Sequence, residues 1–224
     1  MKTLRFILLL SFFFPAVYTR PAFAADGVVI ALPTPKTDGK VSVEKALKKR
    51  RSQRVFSTVP LTLVEIGQLC WAAQGTTDSK GHRTASSAKA VYPLELYVIS
   101  ASVKGLPPGL YHYETATHSL TTVSTGDMRD EFVKKAVGQD WITHASAIFV
   151  ISGKAGKMAA MKERAKQFMA IETGLAAQGL LLEVTALGLG GTFVGGFDPP
   201  KARAALGLSA EEEVLALIPV GKKP

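Results

Sequence analysis

Three arginines and a serine fall within the short stretch Arg50-Arg51-Ser52-Gln53-Arg54. Planar guanidinium groups donate paired, charge-assisted hydrogen bonds to phosphate oxygens and a hydroxyl adds a further donor, so the knot has the chemistry of a phosphate grip. Basic runs also serve as solvated faces or as contacts for nucleic acid or membrane, and the knot alone leaves those readings open. A second feature is the run Gly188-Leu189-Gly190-Gly191-Thr192-Phe193-Val194-Gly195-Gly196. Read locally, Gly190 or Gly191 ends a helix and opens a turn, which explains Gly195-Gly196 less well. The four histidines, His82, His112, His118 and His144, are scattered without acidic or cysteine partners at ligand spacing, so no metal site is expected. The single cysteine, Cys70, excludes an intrachain disulfide and reads as a buried structural thiol. Tyr92 and Tyr111 either line a pocket, donate a proton or simply pack.

These groups must be held by the elements around them. An amphipathic segment beginning near Val43 leads into the knot, and Ser57-Thr58-Val59-Pro60 turns away from it. Thr62 and Glu65 have capping-box spacing and open a helix to about Ala73. Leu94 to Ser102 reads as a strand, Leu110 to Tyr113 with Leu120 to Val123 as a hairpin, and Asp127 to about Val137 as a short helix. Ala147 to Ser152 and Val214 to Val220 read as further strands. The longest pattern, from about Ala159 to Leu189, predicts a helix apolar on nearly every side, sheathed by other elements or by a second subunit. Glu172, Gln178 and Glu183 interrupt it and argue against a membrane span. Gly174 and Gly179 predict close approach of a neighbouring backbone.

Residues 1 to 24 have Lys2 and Arg5 ahead of an apolar stretch from Phe6 to Phe14, and end in Ala22-Phe23-Ala24. That is the layout of a cleavable secretory leader, so an exported, periplasmic protein without a lasting membrane anchor is expected. Removing Lys2, Arg5 and Arg20 with the leader lowers the formal charge from +9 to +6. The excess suits an anionic cofactor or plain solubility, and no aromatic-interleaved basic stripe marks a nucleic-acid surface. Residues 25 to 42, with Gly27, Pro33, Pro35 and Gly39, read as an extended arm, and residues 43 to 224 as one domain.

The arginine knot, then RTASSAKAVYPLELYVIS from Arg83, LPPGLYHYE from Leu106, AIETGLAAQGLLLEVTALGLGGTFVGGFD from Ala170 and the terminal LIPVGKKP occur in one order. In that order they resemble nitroreductase-fold flavoproteins, most nearly the branch containing dehydrogenases that oxidise azoline rings in modified peptides. The resemblance implies an α+β fold with a mostly antiparallel central sheet surrounded by helices, an intertwined homodimer, and FMN at its interface. It further implies that Arg50, Arg51, Ser52 and Arg54 form the phosphate site, and that Ser86 and Ser87 approach the flavin from the other subunit. The family's proline and glycine in that segment are here Ser86 and Lys89. Gly195 and Gly196 would stand beside the flavin ring with backbone N–H groups toward N5, and Lys222 sits where some relatives place a cationic phosphate contact.

The implied function is an FMN-dependent oxidoreductase moving hydride or electrons between a donor and a small electron-poor acceptor such as a nitroaromatic or quinone, with the flavin rather than a side chain as the reactive centre. Some peptide-modifying relatives have histidine and asparagine where this chain has Leu175 and Gly179, which favours a small-molecule substrate. The alternatives are a peptide-modifying FMN dehydrogenase and an exported flavin-binding or storage protein. Export removes a secure supply of NAD(P)H, so the electron donor is open between NAD(P)H and a substrate.

Overall fold

Leu94, Leu96 and Val98 pack into one apolar layer while Tyr97 and Ile99, from the same strand, pack into another. A strand buried on both faces needs cover on both sides, and the computed structural model, which describes residues 27–224, supplies it. The predicted leader over residues 1–24 lies outside the described residues.

In chain order the strands are β1 (Val29–Ala31), β2 (Leu61–Thr62), β3 (Leu94–Ser100), β4 (Val103–Lys104), β5 (Gly109–Glu114), β6 (Ser119–Thr125), β7 (Ala147–Lys154), β8 (Gly190–Gly191) and β9 (Glu212–Gly221). The helices are α1 (Val43–Lys49), α2 (Leu63–Gln74), α3 (Arg129–Phe132), α4 (Ala165–Ala186) and α5 (Pro199–Ala205). Seven strands form one antiparallel sheet in the order β1-β6-β5-β3-β7-β9-β8, and β2 pairs with β4 in a small parallel ladder. This is the α+β architecture expected. Helices α2 and α4 cover one face of the sheet, while α3, the π turn that extends it and α5 cover the other. Among the described residues no helix is long and apolar enough to cross a membrane.

The capping box forms as its spacing predicts: Thr62 Oγ1 accepts from the Glu65 N–H, and Glu65 accepts from the Thr62 N–H at 2.9 Å. The extended arm runs along its own chain. Strand β1 pairs with β6, and Lys36 exchanges two hydrogen bonds with the buried Gln68 side chain, at 2.8 and 3.0 Å.

The long helix differs from expectation at both ends. Ala155–Arg164 forms tight 3-10 turns broken at Lys162, whose φ of 50° ends any continuous helix, and α4 begins only at Ala165. The break lets Met158 and Met161 pack with Ala88 and Val91, which belong to the loop before β3. At the other end Gly188, with φ 74°, turns the chain so that the Leu189 N–H reaches Val184 O at 2.8 Å. Gly179 does what its type predicts, since a Cβ there would fall 2.7 Å from the Ala72 carbonyl oxygen of α2. Gly174 does not, because no atom lies within 4 Å of its added Cβ. It sits with Ile171 and Leu175, 51% and 46% exposed, on a face of α4 that this chain leaves uncovered.

Beyond the apolar part of the second layer lies a polar network. Glu212 accepts from Tyr97 Oη and Ser152 Oγ, and Lys154 bridges it to Glu95 at 3.4 Å on each side. Glu95 also meets Lys157 at 2.7 Å and His112 Nε2 at 3.1 Å, while His112 Nδ1 meets Glu114 at 2.9 Å. Burial alone would raise the Glu95 carboxyl, but hydrogen bonds from His112 and Lys157 and the two lysine charges outweigh it and hold it down at about 2. For His112, burial pulls the value down, yet the two flanking carboxylates outweigh it and raise it above the ordinary 6.5.

Glu95 therefore contributes its stabilisation above its ordinary 4.5 and loses it as pH falls toward 2. His112 contributes fully below 6.5 and loses its share as pH rises through the raised folded value. His112→Gln is expected to cost about 1.5–3 kcal/mol at pH 5.5, the scale of hydrogen bonds to charged groups, and clearly less at pH 9. Urea unfolding at both pH values checks this; equal losses would remove His112 as the titrating member.

Candidate cofactor site

Helix α1 starts at Ser42, whose Oγ accepts the Lys45 N–H, and carries Glu44 in its first turn and Lys48 and Lys49 in its last, matching the helix dipole. It ends at Arg50, where ψ of 123° turns the chain out of the helix. From there the chain runs across the end of the sheet. The Gln53 N–H donates to Gly191 O at 3.1 Å, and the Ser57 N–H donates to Lys222 O at 2.9 Å. Two glycines make room for this crossing. A Cβ on Gly190 would lie 3.2 Å from Gln53 Cβ, and one on Gly221 would lie 3.0 Å from the Phe56 ring. The knot, the glycine run and the C-terminal strand, far apart in sequence, thus meet at one sheet edge.

The members of the knot have different surroundings. Arg51 donates to Lys48 O at 3.2 Å and Arg50 O at 2.7 Å, so it closes the end of α1. Among the described residues Arg50 and Arg54 form no ion pair and Ser52 Oγ has no protein hydrogen bond, while the Arg54 guanidinium lies 5.8 Å from the centroid of the Trp141 ring. Lys222, half-buried, is paired with Glu65, whose carboxylate also takes part in the capping box. Close by, Ser57 Oγ is buried without a hydrogen-bond partner among the described residues. An unsatisfied buried hydroxyl costs about 1–3 kcal/mol, so a bound polar group here would be favoured.

The glycine run forms a wall beside this grip. Val194 and Leu217 exchange both backbone hydrogen bonds, at 2.8 and 3.0 Å, and the Asp198 N–H donates to Ala136 O at 2.8 Å. Between these pins lie Gly195 and Gly196, both exposed, whose N–H groups donate to no protein acceptor among the described residues. Phe193, 44% exposed, stands over Gly195, where an added Cβ would fall 3.2 Å from its ring. Unpaired N–H groups on glycines without side chains are what a flat, acceptor-bearing ring requires, and free guanidinium groups are what a phosphate requires. The residues present fit FMN.

Ser86 and Ser87 lie elsewhere. Ser86 is exposed, and Ser87 Oγ accepts the Tyr92 N–H at 2.8 Å. The Ala88 N–H donates at 2.9 Å to Glu172, a buried carboxylate in the first half of α4. Roughly 20 Å of helix axis separates Glu172 from the end of α4, where the arginine knot sits. A single chain therefore does not bring the serines to the arginines.

In the serine loop Lys89, Ala90 and Tyr92 have φ of 54°, 53° and 50°. Lys89 stands in the left-handed region at the position where the resemblance has glycine, so the loop keeps a glycine conformation without the glycine. Its side chain is exposed. Lys89→Gly is expected to stabilise the protein by about 1 kcal/mol by releasing that strain. Thermal unfolding checks this, and an unchanged or lowered melting temperature would show that Lys89 makes compensating contacts.

Neither Trp141, Gln139 nor Phe56 stands out in the sequence as a site residue, and Glu65 does so only as a capping residue, not as the partner of Lys222. Trp141 lies in a short 3-10 turn and no local pattern marks Gln139. Only the fold brings them to the site.

The nitroreductase family model matches residues 47–222. MJ1384 of Methanocaldococcus jannaschii, which carries a nitroreductase name, is 35% identical over 185 residues, covering 82% of this chain and 92% of the relative. A crystal structure from Ralstonia eutropha JMP134, likewise named as a nitroreductase, superposes with a TM-score of 0.78 at 28% identity and covers 88% of this chain and 90% of its own. The Escherichia coli microcin synthetase McbBCD complex with truncated pro-MccB17 bound shares the fold, with a TM-score of 0.68 at 18% identity, covering 86% and 76%.

Proposed function

The chain belongs to the nitroreductase family, and on that premise we propose that it is an FMN-dependent oxidoreductase acting on a small electron-poor acceptor, such as a quinone or nitroaromatic. Family membership carries the general assignment of flavin oxidoreductase. The observation that carries the finer reading is the crossing of the arginine knot over the glycine run, with the Gln53 N–H on Gly191 O, where among the described residues Arg50 and Arg54 form no ion pair and the Gly195 and Gly196 N–H groups donate to no protein acceptor.

FMN, when bound, supplies hydride acceptance and donation at N5. Arg50, Arg54 and Ser52 hold its phosphate and ribityl end by charge-assisted and neutral hydrogen bonds. Lys222 is held at the edge of this grip by Glu65, whose carboxylate offsets its charge. Gly195 and Gly196 would offer backbone N–H donors to the ring, a preorganised electrostatic contribution to its redox balance. Phe193 stands beside that wall and offers an apolar face for a flat acceptor.

The second half of the site comes from a second copy of the chain. Ile171 and Leu175 on α4 are exposed, and Val43, Val64 and Leu187 line a groove of about 730 Å³ between the arm, α1, α2 and α4. Exposed apolar side chains on three helices, bordered in the groove by Lys36, Asp38, Glu65 and Glu183, suit a twofold interface with a polar rim. A homodimer formed there carries the Ser86–Ser87 loop of one chain toward the arginine knot of the other. The leader-like residues 1–24 support export, and sequencing the N-terminus of the secreted protein tests it.

Purified protein is expected to be yellow or to take up one FMN per chain. After anaerobic photoreduction, mixing with a quinone should restore the oxidised spectrum faster than the quinone-free control. A protein that stays colourless after FMN addition would overturn the reading; one that binds FMN yet shows no quinone-dependent reoxidation would reduce it to flavin binding.

A further inference from the structure

The two glycines of the wall are exposed and carry no side chain to restrict their backbone, so something must orient them. Val194 is tied to β9 and Asp198 to Ala136 O, but between these pins the hydrogen bond that holds the Gly195–Gly196 segment comes from a side chain. Gln139 Nε2 donates to Gly196 O at 3.0 Å. Glycine explores more backbone conformations than any other residue, so without such a tether the N–H donors of this pair would not be pre-aimed.

Gln139 is itself held. Its Oε1 accepts from Trp141 Nε1 at 3.2 Å, which leaves Nε2 as the group facing Gly196. The Trp141 ring in turn lies 5.8 Å from the Arg54 guanidinium and 6.4 Å from the Phe56 ring. A guanidinium over a tryptophan face is attracted by the ring quadrupole, and a long side chain resting on such a shelf gives up less rotamer freedom when it binds. One short turn thus touches both ends of the site, with Trp141 under the phosphate-gripping arginine and Gln139 on the ring-facing glycines.

Resting on the FMN reading above, we infer that Gln139 and Trp141 are positioning residues that strap the phosphate grip to the ring wall. Gln139 sets how strongly the wall favours reduced FMN, and Trp141 sets how firmly Arg54 is held for the phosphate. The two duties are separable by measurement. A merely structural role would instead lower thermal stability and move every property of the site together.

The test uses the full mature protein with FMN and three variants, Gln139→Leu, Trp141→Phe and Trp141→Ala. Gln139→Leu removes both hydrogen bonds while keeping bulk. It should leave affinity for oxidised FMN within about threefold of wild type but cut the preference for reduced FMN about tenfold, a midpoint potential lower by about 30 mV for a two-electron couple. Trp141→Phe keeps the shelf and loses the N–H, so it should shift the potential in the same direction with affinity unchanged. Trp141→Ala should weaken FMN binding at least fivefold. Potentials come from dye equilibration, affinities from flavin fluorescence quenching, and melting temperatures confirm folding. Potentials unchanged in both Gln139→Leu and Trp141→Phe overturn the strap while leaving the FMN reading intact. Affinity and potential falling together in Gln139→Leu overturn its assigned duty. If wild-type protein takes up no FMN, the strap and the reading it rests on both fall.

Discussion

Changing Arg50 and Arg54 together to alanine is expected to weaken FMN binding by at least a hundredfold while leaving the protein folded. Each charge-assisted hydrogen bond to a phosphate contributes roughly 1.5–3 kcal/mol, and two guanidinium groups on one phosphate are not independent, so about 3 kcal/mol is a lower expectation for the pair. The fold should tolerate the change because neither side chain is in an ion pair among the described residues and Arg54 is exposed. Arg51→Ala is the contrasting variant: with its guanidinium closing the end of α1, it should cost stability before affinity. Fluorescence titration with FMN at fixed salt separates the two. Unchanged affinity in the double variant would remove the knot from the site, and equal affinity losses in Arg51→Ala and the double variant would show that its role is indirect.

Placing a carboxylate on the uncovered face of α4, in Leu175→Asp, should convert the proposed homodimer into monomers and release FMN with it. Leu175 is 46% exposed and lies one helical turn from Ile171, with Gly174 beside it open to close approach. At a twofold interface the substitution buries two unpaired charges, one from each chain, at a cost of several kcal/mol. In the proposed homodimer, losing the interface would take the Ser86–Ser87 loop away from the other chain's arginine knot, so FMN affinity should fall by more than tenfold. Light scattering reads the mass and flavin fluorescence reads the affinity. Val123→Asp, at an exposed position on β6 outside that face, serves as the control and should change neither. A Leu175→Asp protein that retains its mass and its FMN would place the interface elsewhere.

Much of the framework was legible residue by residue. Thr62 and Glu65 announced the start of α2 because a capping box is a contact between near neighbours, satisfied by local geometry whatever the rest of the chain does. The hairpin of β5 and β6 was readable from alternation for the same reason. The beginning of α4 was not, because Ala155–Arg164 has helical composition, and its left-handed break at Lys162 accompanies methionines packed on a loop more than sixty residues earlier in the chain. Gly174 and Gly179 look alike in sequence, yet only the second touches another backbone.

Residue types alone therefore determined which groups were capable of gripping a phosphate and which stretches had to be backbone-only, since guanidinium donors and missing Cβ atoms are properties of single residues. Tertiary structure decided the rest: that Arg51 is turned onto its own helix, that Lys222 is taken by Glu65, and that Gln139 and Trp141 join the site. Those outcomes depend on strand register and on where separate segments cross, and such long-range pairings are set by burying both faces of the sheet at once rather than by any short run of sequence.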